Sequence, residues 1–333
     1  MLQRERVISA IEHKKTDIIP YQLDLTQGVY EKLCEYYGDN DFLYNVVGNH
    51  LIREKHKNHC AIDSMSYKDI FGVTWFKDQI GGDIGTIRDY IFKEPDIELF
   101  TFPEPDAGLI KNKCEKITRE FCNLFKIYEI GFSLYERAWT LRGMDTLLMD
   151  FILNADFVDT LFDKILEYNL KVIDTAAKYP IDCIMFGDDW GQQKGLIMGP
   201  KLWNRFIKPR VIIMYERVKK YGLYVAQHSC GDNYELFGDL IDMGLDIYNT
   251  FQPEIYNMGK FIKEFGNNIT IYGGISTQGI LSKGTPADVK CEVERMIGIL
   301  GLNGGYIVAP THQITTDIPI ENIFAFIETV KGQ

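Results

Sequence analysis

His228 and Cys230 place an imidazole and a thiol two residues apart. In extended backbone, side chains at that spacing point the same way. Imidazole and thiolate are preferred ligands of zinc, and a catalytic zinc site takes three protein ligands and leaves one position open. His312 could supply the third ligand from another part of the chain. Asp188 and Asp189 could add a fourth contact, or a hydrogen bond that orients a ligating imidazole. Two carboxylates buried together also push one pKa up, which suits one of them to acid catalysis. Each signal has a plainer reading. His-x-Cys also describes a buried thiol beside a hydrogen-bonded histidine, and Asp-Asp also suits a helix N-cap region.

Bringing these residues together requires a fold that gathers distant loops. Apolar runs occur at Ile18–Leu23, Phe125–Ile130, Cys183–Phe186, Leu223–Ala226, Ile247–Tyr248, Ile269–Tyr272 and Tyr306–Ala309. Helical patterns fill most of the gaps, at Ala155–Lys178, Lys201–Lys220, Tyr234–Met243, Gly259–Phe265, Pro286–Leu300 and Ile320–Lys331. Such alternation implies a parallel sheet with crossover helices. The expected fold is α/β, a (β/α)8 TIM barrel with an N-terminal helical and insertion cap. It forms one domain over residues 1–333. Seven strands can be counted, and the eighth is expected from residues 63–105. That stretch is rich in Gly, Asp and aromatics, includes Gly81-Gly82-Asp83-Ile84-Gly85, and reads as an insertion capping the barrel.

Catalytic groups of such a barrel sit on loops at the strand C-termini. Here those loops carry Asp188-Asp189-Trp190, His228-Ser229-Cys230, Asn249 to Gln252, Ser276 to Gln278, and Thr311-His312. Asp188 and Asp189 are therefore the candidate catalytic carboxylates. Tyr272, Gln252, Gln278 and Trp190 are candidate substrate contacts, although a tryptophan more often packs in a core. His13, His50, His56 and His59 lie in charged N-terminal stretches; His56 and His59, three apart, could face a metal from one helix face, and a solvated surface is the plainer reading. Gly273-Gly274 and Gly304-Gly305 read as tight turns, since neither completes a phosphate-binding motif.

The 333 residues are 46% hydrophobic, enough for one large core. The net charge of −11 argues against a nucleic-acid or anionic-membrane partner. Seven cysteines without disulfide-framework spacing read as reduced thiols of a cytoplasmic protein. Neither a signal peptide nor a run of 18 or more apolar residues is evident.

At the level of its strings the chain resembles the uroporphyrinogen decarboxylase-like superfamily. The strings are Arg4–Pro20 (RERVISAIEHKKTDIIP), Asp188–Arg210 (DDWGQQKGLIMGPKLWNRFIKPR), His228–Asp232 (HSCGD), Tyr272–Pro286 (YGGISTQGILSKGTP) and Gly304–Asn322 (GGYIVAPTHQITTDIPIEN). The resemblance implies a (β/α)8 barrel and one of two chemistries. True uroporphyrinogen decarboxylases are metal-free, grip their acidic substrate with an arginine-rich loop after the first strand, and use an aspartate against the pyrrole nitrogens. Here Pro20 is followed by YQLDLTQGVYEKL, without arginine, and Asp69 is a loose match to the aspartate. The other branch is zinc-dependent and moves methyl groups to corrinoid proteins. Its His-x-Cys pair matches His228 and Cys230, and His312 stands where that branch has a second cysteine. The resemblance then implies Zn2+ on His228, Cys230 and His312, a small methylated donor such as a methyl ether, and a corrinoid (cobalamin) on a partner protein. It is compatible with a homodimer. A metal-free decarboxylase and a non-catalytic small-molecule-binding barrel stay open as alternatives.

Overall fold

The computed structural model describes residues 1–56, 59–77 and 85–333. Seven strands form one all-parallel sheet: β1 (Leu51–Lys55), β6 (Phe125–Ile130), β7 (Cys183–Gly187), β8 (Tyr224–His228), β9 (Ile247–Phe251), β10 (Thr270–Ile275) and β11 (Tyr306–Pro310), in that spatial order. Between β1 and β6 in sequence, β2 (His59–Ala61), β3 (Ser66–Asp69), β4 (Thr74–Phe76) and β5 (Thr86–Ile87) make a separate antiparallel sheet. Helices follow the strands, among them Ala155–Ala176, Pro286–Leu300 and Ile320–Lys331. The result is an α/β fold with a curled parallel sheet, TIM-barrel-like in form.

Two edges of that sheet meet across a segment that is not a regular strand. Gln22 N–H donates to the Val308 carbonyl (3.0 Å), and Val308 N–H donates to the Pro20 carbonyl (2.9 Å). On the other side His50 N–H donates to the Tyr21 carbonyl (3.1 Å). Side-chain amides complete the pairing. Asn49 Oδ1 accepts from Leu23 N–H (3.0 Å), and Asn49 Nδ2 donates to the Leu23 carbonyl (2.9 Å). The sequence pattern predicts a strand at Ile18–Leu23, but Pro20 and these side-chain bridges reduce it to isolated parallel pairings at Tyr21 and Leu25.

The missing strand is β1, which lies before residues 63–105 and not within them. Its charged run Arg53-Glu54-Lys55 hides it from an apolar pattern search. The alternation is nonetheless that of a strand. Leu51 belongs to the inner cluster, Arg53 pairs with Glu129 and Asp24, and Glu54, facing the other way, pairs with Lys113. Of the glycine run expected in the insertion, Gly81, Gly82, Asp83 and Ile84 lie outside the described residues.

Period-two alternation divides each strand between two environments. One set of side chains fills the barrel's lower interior: Leu51, Phe125, Ile127, Met185, Ala226 and Ile247, closed from below by Val7 and Ile11 of helix Gln3–Ile11. The alternate set, such as Ile52, Ile184, Val225 and Tyr248, packs outward in the main core with the helices. Each fully buried side chain of this size contributes about 1.5–3 kcal/mol. Two residues above the apolar layer come Arg53, Glu129, Gly187, His228 and Asn249. The inward face thus changes from apolar to polar towards the strand C-termini. All seven cysteines are free, and among the described residues no helix is long and apolar enough to cross a membrane.

His50, in one of the charged N-terminal stretches, is 1% exposed and packs edge-on against Tyr21. Burial, aided by the nearby Arg6 charge, pushes its pKa down to about 4. The folded pKa lies below the unfolded 6.5, so the stability from neutral His50 is fully present above pH 6.5 and lost as pH falls from 6.5 towards 4. Its share of the loss between pH 7.5 and 4.5 is about 2.5 kcal/mol. Urea unfolding at both pH values should show a difference smaller by about that amount in His50→Phe. An equal difference in both proteins would refute this.

Candidate metal centre

β8 carries His228 as its last residue, two positions above buried Ala226, so its ring continues the inward face. One residue later the chain enters a tightly held loop. Asn233 Nδ2 donates to Ser229 Oγ (3.1 Å), the Cys230 carbonyl (3.0 Å) and the Tyr248 hydroxyl (2.9 Å). The loop after β7 packs against it backbone to backbone. Gly231 has φ 78°, and a Cβ there would lie 2.3 Å from the Gly191 carbonyl carbon. Glycine at both positions lets the two loops touch. Trp190 N–H donates to Ser229 Oγ (3.0 Å) and Asp232 N–H to the Gln192 carbonyl (2.8 Å).

Around the Cys230 sulfur stand two imidazoles, with His312 Nε2 at 3.4 Å and His228 Nε2 at 3.5 Å. Asp189 Oδ1 accepts from Cys230 N–H (2.8 Å) and lies 3.9 Å from His228 Nε2. One donor atom each of Asp189, His228 and Cys230 falls within 4.8 Å of the others. His312 joins through the sulfur, its ring centroid 6.4 Å from that of His228. These separations suit a bound ion. A zinc about 2.3 Å from sulfur and about 2.0 Å from nitrogen, at tetrahedral angles, spaces the two by about 3.5 Å. Burial raises the Cys230 thiol pKa, and so do the negative neighbours Asp189 and Glu136. Burial lowers that of His312.

The orientation of His228 is held from behind. Its Nδ1 lies 2.6 Å from Asn249 Oδ1, and Asn249 Nδ2 donates to the Tyr272 carbonyl (3.0 Å). Because the Asn249 amide spends its N–H on a carbonyl, its oxygen faces Nδ1. Nδ1 must then carry the hydrogen, which leaves the Nε2 lone pair aimed at Cys230.

The adjacent aspartates have different tasks. Asp188 is fully buried and faces away from the cluster. Its carboxylate accepts from the backbone N–H groups of Tyr135 (3.0 Å), Glu136 (2.7 Å) and Leu134 (3.3 Å), and from Trp190 Nε1 (2.6 Å). It thereby satisfies the first turn of helix Tyr135–Arg142, which follows the neighbouring strand β6. Burial pushes its pKa up to about 6 against the pull of those donors. Only Asp189 of the pair meets the metal-type cluster.

His228 and Asp189 line a cavity of about 600 Å3, with Glu129, Glu136 and Arg137 also in its wall. Tyr272, Gln252, Gln278 and Trp190 are not among its lining residues. Tyr272 lies beneath, its hydroxyl donating to Asp24 (3.2 Å). Gln252 accepts from Gly231 N–H (3.0 Å), Trp190 is buried edge-on against Trp203, and Gln278 is exposed. Asp69 does line the cavity, but its carboxylate accepts from Phe71 N–H, Val73 N–H, Trp75 Nε1 and Arg137. Sequence reasoning missed Glu129, Glu136, Arg137 and Asn233. Asn249 stood at a strand end, as the other candidates did, and that position was the available signal.

Residues 132–333 match the family described as uroporphyrinogen decarboxylase (URO-D). No curated protein sequence matches the chain. Among solved structures it is similar to a methyltransferase from Methanosarcina mazei, with 16% identity, TM-score 0.74, and coverage of 100% of this chain and 99% of that one. A β-L-arabinopyranosidase from Geobacillus stearothermophilus gives TM-score 0.47 at 10% identity, over 96% of this chain and 78% of that one. At 16% identity the likeness to the methyltransferase is one of fold.

Removing the support behind His228 should weaken any metal held there. Asn249→Ala should lower zinc affinity by about 10–100-fold in competition with a chromophoric chelator. Unchanged affinity would show that the Asn249 contact does not orient the ring. Asp188→Asn should cost about 3–5 kcal/mol in urea unfolding, since an NH2 group would then face N–H donors inside the fold. A loss below 1 kcal/mol, on the order of a surface change, would contradict this account of its role.

Proposed function

Because the chain belongs to the uroporphyrinogen decarboxylase (URO-D) family, we propose that it acts as a zinc-dependent methyltransferase. It would move a methyl group from a small methylated donor, such as a methyl ether, to a corrinoid protein. One observation carries this reading: the Cys230 sulfur sits 3.4 and 3.5 Å from two imidazole nitrogens, with the His228 tautomer held by Asn249. In this reading His228, Cys230 and His312 would hold the zinc, with Asp189 as a fourth contact or hydrogen-bond partner; Asp189, His228 and Cys230 are the donors that lie within 4.8 Å of one another, and His312 meets them through the sulfur. The Methanosarcina mazei methyltransferase supports the reading as a protein of similar fold.

Zinc bound there would supply Lewis acidity to the donor's heteroatom, and a corrinoid on the partner protein would accept the methyl group. The chain's own residues bind and orient. Asn249 and Tyr272 hold the His228 ring. Asn233 and the Gly191–Gly231 contact hold the cysteine loop at its depth. Asp188 holds the helix that carries Glu136 and Arg137, which is a positioning role. Arg53 donates twice to Glu129, through Nε (3.0 Å) and Nη2 (2.7 Å), and keeps that wall carboxylate ionised well below the ordinary range, at about 2. Aromatic rings of Phe71, Trp75 and Phe132 keep part of the wall dry. Tyr272, Gln252 and Trp190 act in this reading as supports around the pocket.

The same reading takes the chain as one domain of residues 1–333, with Pro20–Leu25 filling the eighth place of a (β/α)8 barrel. Residues 63–105 would cap its mouth. It places the protein in the cytoplasm, as a homodimer. The metal-free decarboxylase reading has less support, because the Asp69 carboxylate is engaged by four donors of its own surroundings.

Metal analysis of the purified protein, with transfer to free cob(I)alamin followed by absorbance, tests the proposal. The expected result is about one zinc per chain, lost together with methyl transfer in His228→Ala and in Cys230→Ala. Turnover of a methyl ether by either variant, or by protein stripped with chelator, would end it.

A further inference from the structure

His56 follows β1 and His59 opens β2, so the two do not share a helix face. His56 stands instead between two phenols. Its Nδ1 lies 2.8 Å from the Tyr128 hydroxyl, and its Nε2 lies 2.9 Å from the Tyr168 hydroxyl. Tyr128 is on β6 and Tyr168 on helix Ala155–Ala176, so three elements meet at this ring. The His56 backbone N–H donates to the Glu129 carbonyl (2.7 Å) and holds the chain there. Burial, and then the charges of Lys113 and Arg137, push the His56 pKa down to about 4. At neutral pH the imidazole is therefore uncharged, with one N–H and one lone pair.

Which nitrogen holds the hydrogen follows from what each phenol can reach. Tyr128 is fully buried in the main core, and among the described residues His56 is its hydroxyl's one hydrogen-bond partner. A hydrogen on Nδ1 would strand the Tyr128 O–H in the core without an acceptor, which is costly. Tyr128 therefore donates to Nδ1. Nε2 carries the hydrogen and donates to the Tyr168 oxygen. The chain of donation ends at the Tyr168 O–H, whose hydrogen has no acceptor among the described residues.

That open end faces the cavity. His56 and Tyr168 both line it. The Tyr168 ring also borders an outer groove beside Phe100 and Phe102, but His56 does not, so the hydroxyl next to His56 is on the cavity side. The carboxylates of the wall are engaged elsewhere. Glu129 accepts from Arg53, Asp69 from Arg137, and Asp189 from Cys230 N–H. Glu136 stands near Asp189 and Asp188, where burial and then those two charges hold its pKa well above the ordinary range. None of the four is a hydrogen-bond partner of Tyr168.

We propose that Tyr168 is a binding residue of the cavity: its hydroxyl, set as a donor by Tyr128 and His56, gives a hydrogen bond to an uncharged acceptor oxygen, carbonyl or ether, on the bound molecule. This rests on the reading of the cavity as the methyl donor's site, and it names a group that the donor carries. Each bond in such a chain polarises the next, so the last hydroxyl donates more strongly than an isolated phenol. A group that can only donate meets an oxygen that already accepts from Nε2.

The test combines nitrogen NMR of histidine-labelled protein with binding measured without turnover. The His56 signal, assigned by its loss in His56→Asn, should show the Nε2–H tautomer at neutral pH. The probes are 4-methoxyacetophenone and 4-ethylanisole, which differ by a carbonyl in place of a methylene. The ketone should shift the His56 resonance, and the ethyl compound should leave it in place. Tyr168→Phe should weaken the ketone by about fivefold and change the ethyl compound by less than about twofold. The Nδ1–H tautomer, a ketone that fails to bind or leaves His56 unmoved, or equal changes for both compounds in Tyr168→Phe would overturn the proposal. The NMR comparison uses the unaltered protein and holds even if Tyr168→Phe fails to fold. Ketone recognition through Tyr168 without methyl transfer would leave this inference standing and remove the methyltransferase reading. Methyl transfer with equal changes for the two probes would do the reverse.

Discussion

A buried carboxylate at the end of β7 joins the parts of this site that lie far apart in sequence. Asp188 takes three backbone N–H groups at the start of helix Tyr135–Arg142 and the indole N–H of Trp190. The helix carries Glu136 and Arg137 into the cavity wall. Trp190 reaches on to Ser229, next to Cys230. One side chain therefore sets the wall and the cysteine loop relative to each other. The energetic reason is that these donors sit where water cannot serve them. Each would cost about 1–3 kcal/mol if left unpaired, so the arrangement has little freedom to slip.

Around that anchor, charge is handled by pairing and by depth. Arg53 lies in the barrel mouth between Glu129 and Asp24, and Arg137 lies against Asp69. Buried pairs of this kind add little net stability, because desolvation offsets most of the attraction. Their effect is to fix where negative charge sits. Asp24, Glu129 and Asp69 are neutralised in place by these guanidinium groups. Beneath this layer the inward face is apolar and closed by the N-terminal helix. The polar layer is consequently open to solvent from the strand C-terminal side.

His228 and Cys230 show how local pattern and tertiary structure divide the work. Their spacing put both on one side of an extended segment, and the strand's period of two carried His228 inward above Ala226. Asn249 followed the same rule one strand further on and could have been read in the same way. Asp188 could not. As one of two adjacent aspartates it looked equivalent to Asp189, and only the position of helix Tyr135–Arg142 turned one inward to cap it and left the other at the cluster. Gln252 and Trp190 likewise stood at strand ends, yet packing spent them on Gly231 and on the indole of Trp203.

By itself the sequence determined the strand–helix alternation, six of the strands, the loops that gather at one face, and the pairing of imidazole with thiol. These follow from periodicities of two and 3.6, which are local properties of the backbone. Tertiary structure decided the remainder. β1 is a strand despite Arg53-Glu54-Lys55, because the barrel mouth supplies Glu129 and Asp24 to Arg53, and Lys113 of helix Ala107–Glu120 pairs with Glu54 on the other face. Tyr21 and its neighbours are not a regular strand, because amide side chains of Asn49 and Gln22 take over the pairing. His50 is core and not surface, because the chain turns inward just before β1. In each case the outcome depends on which partner comes within a few ångströms, and that distance is a property of the closed fold.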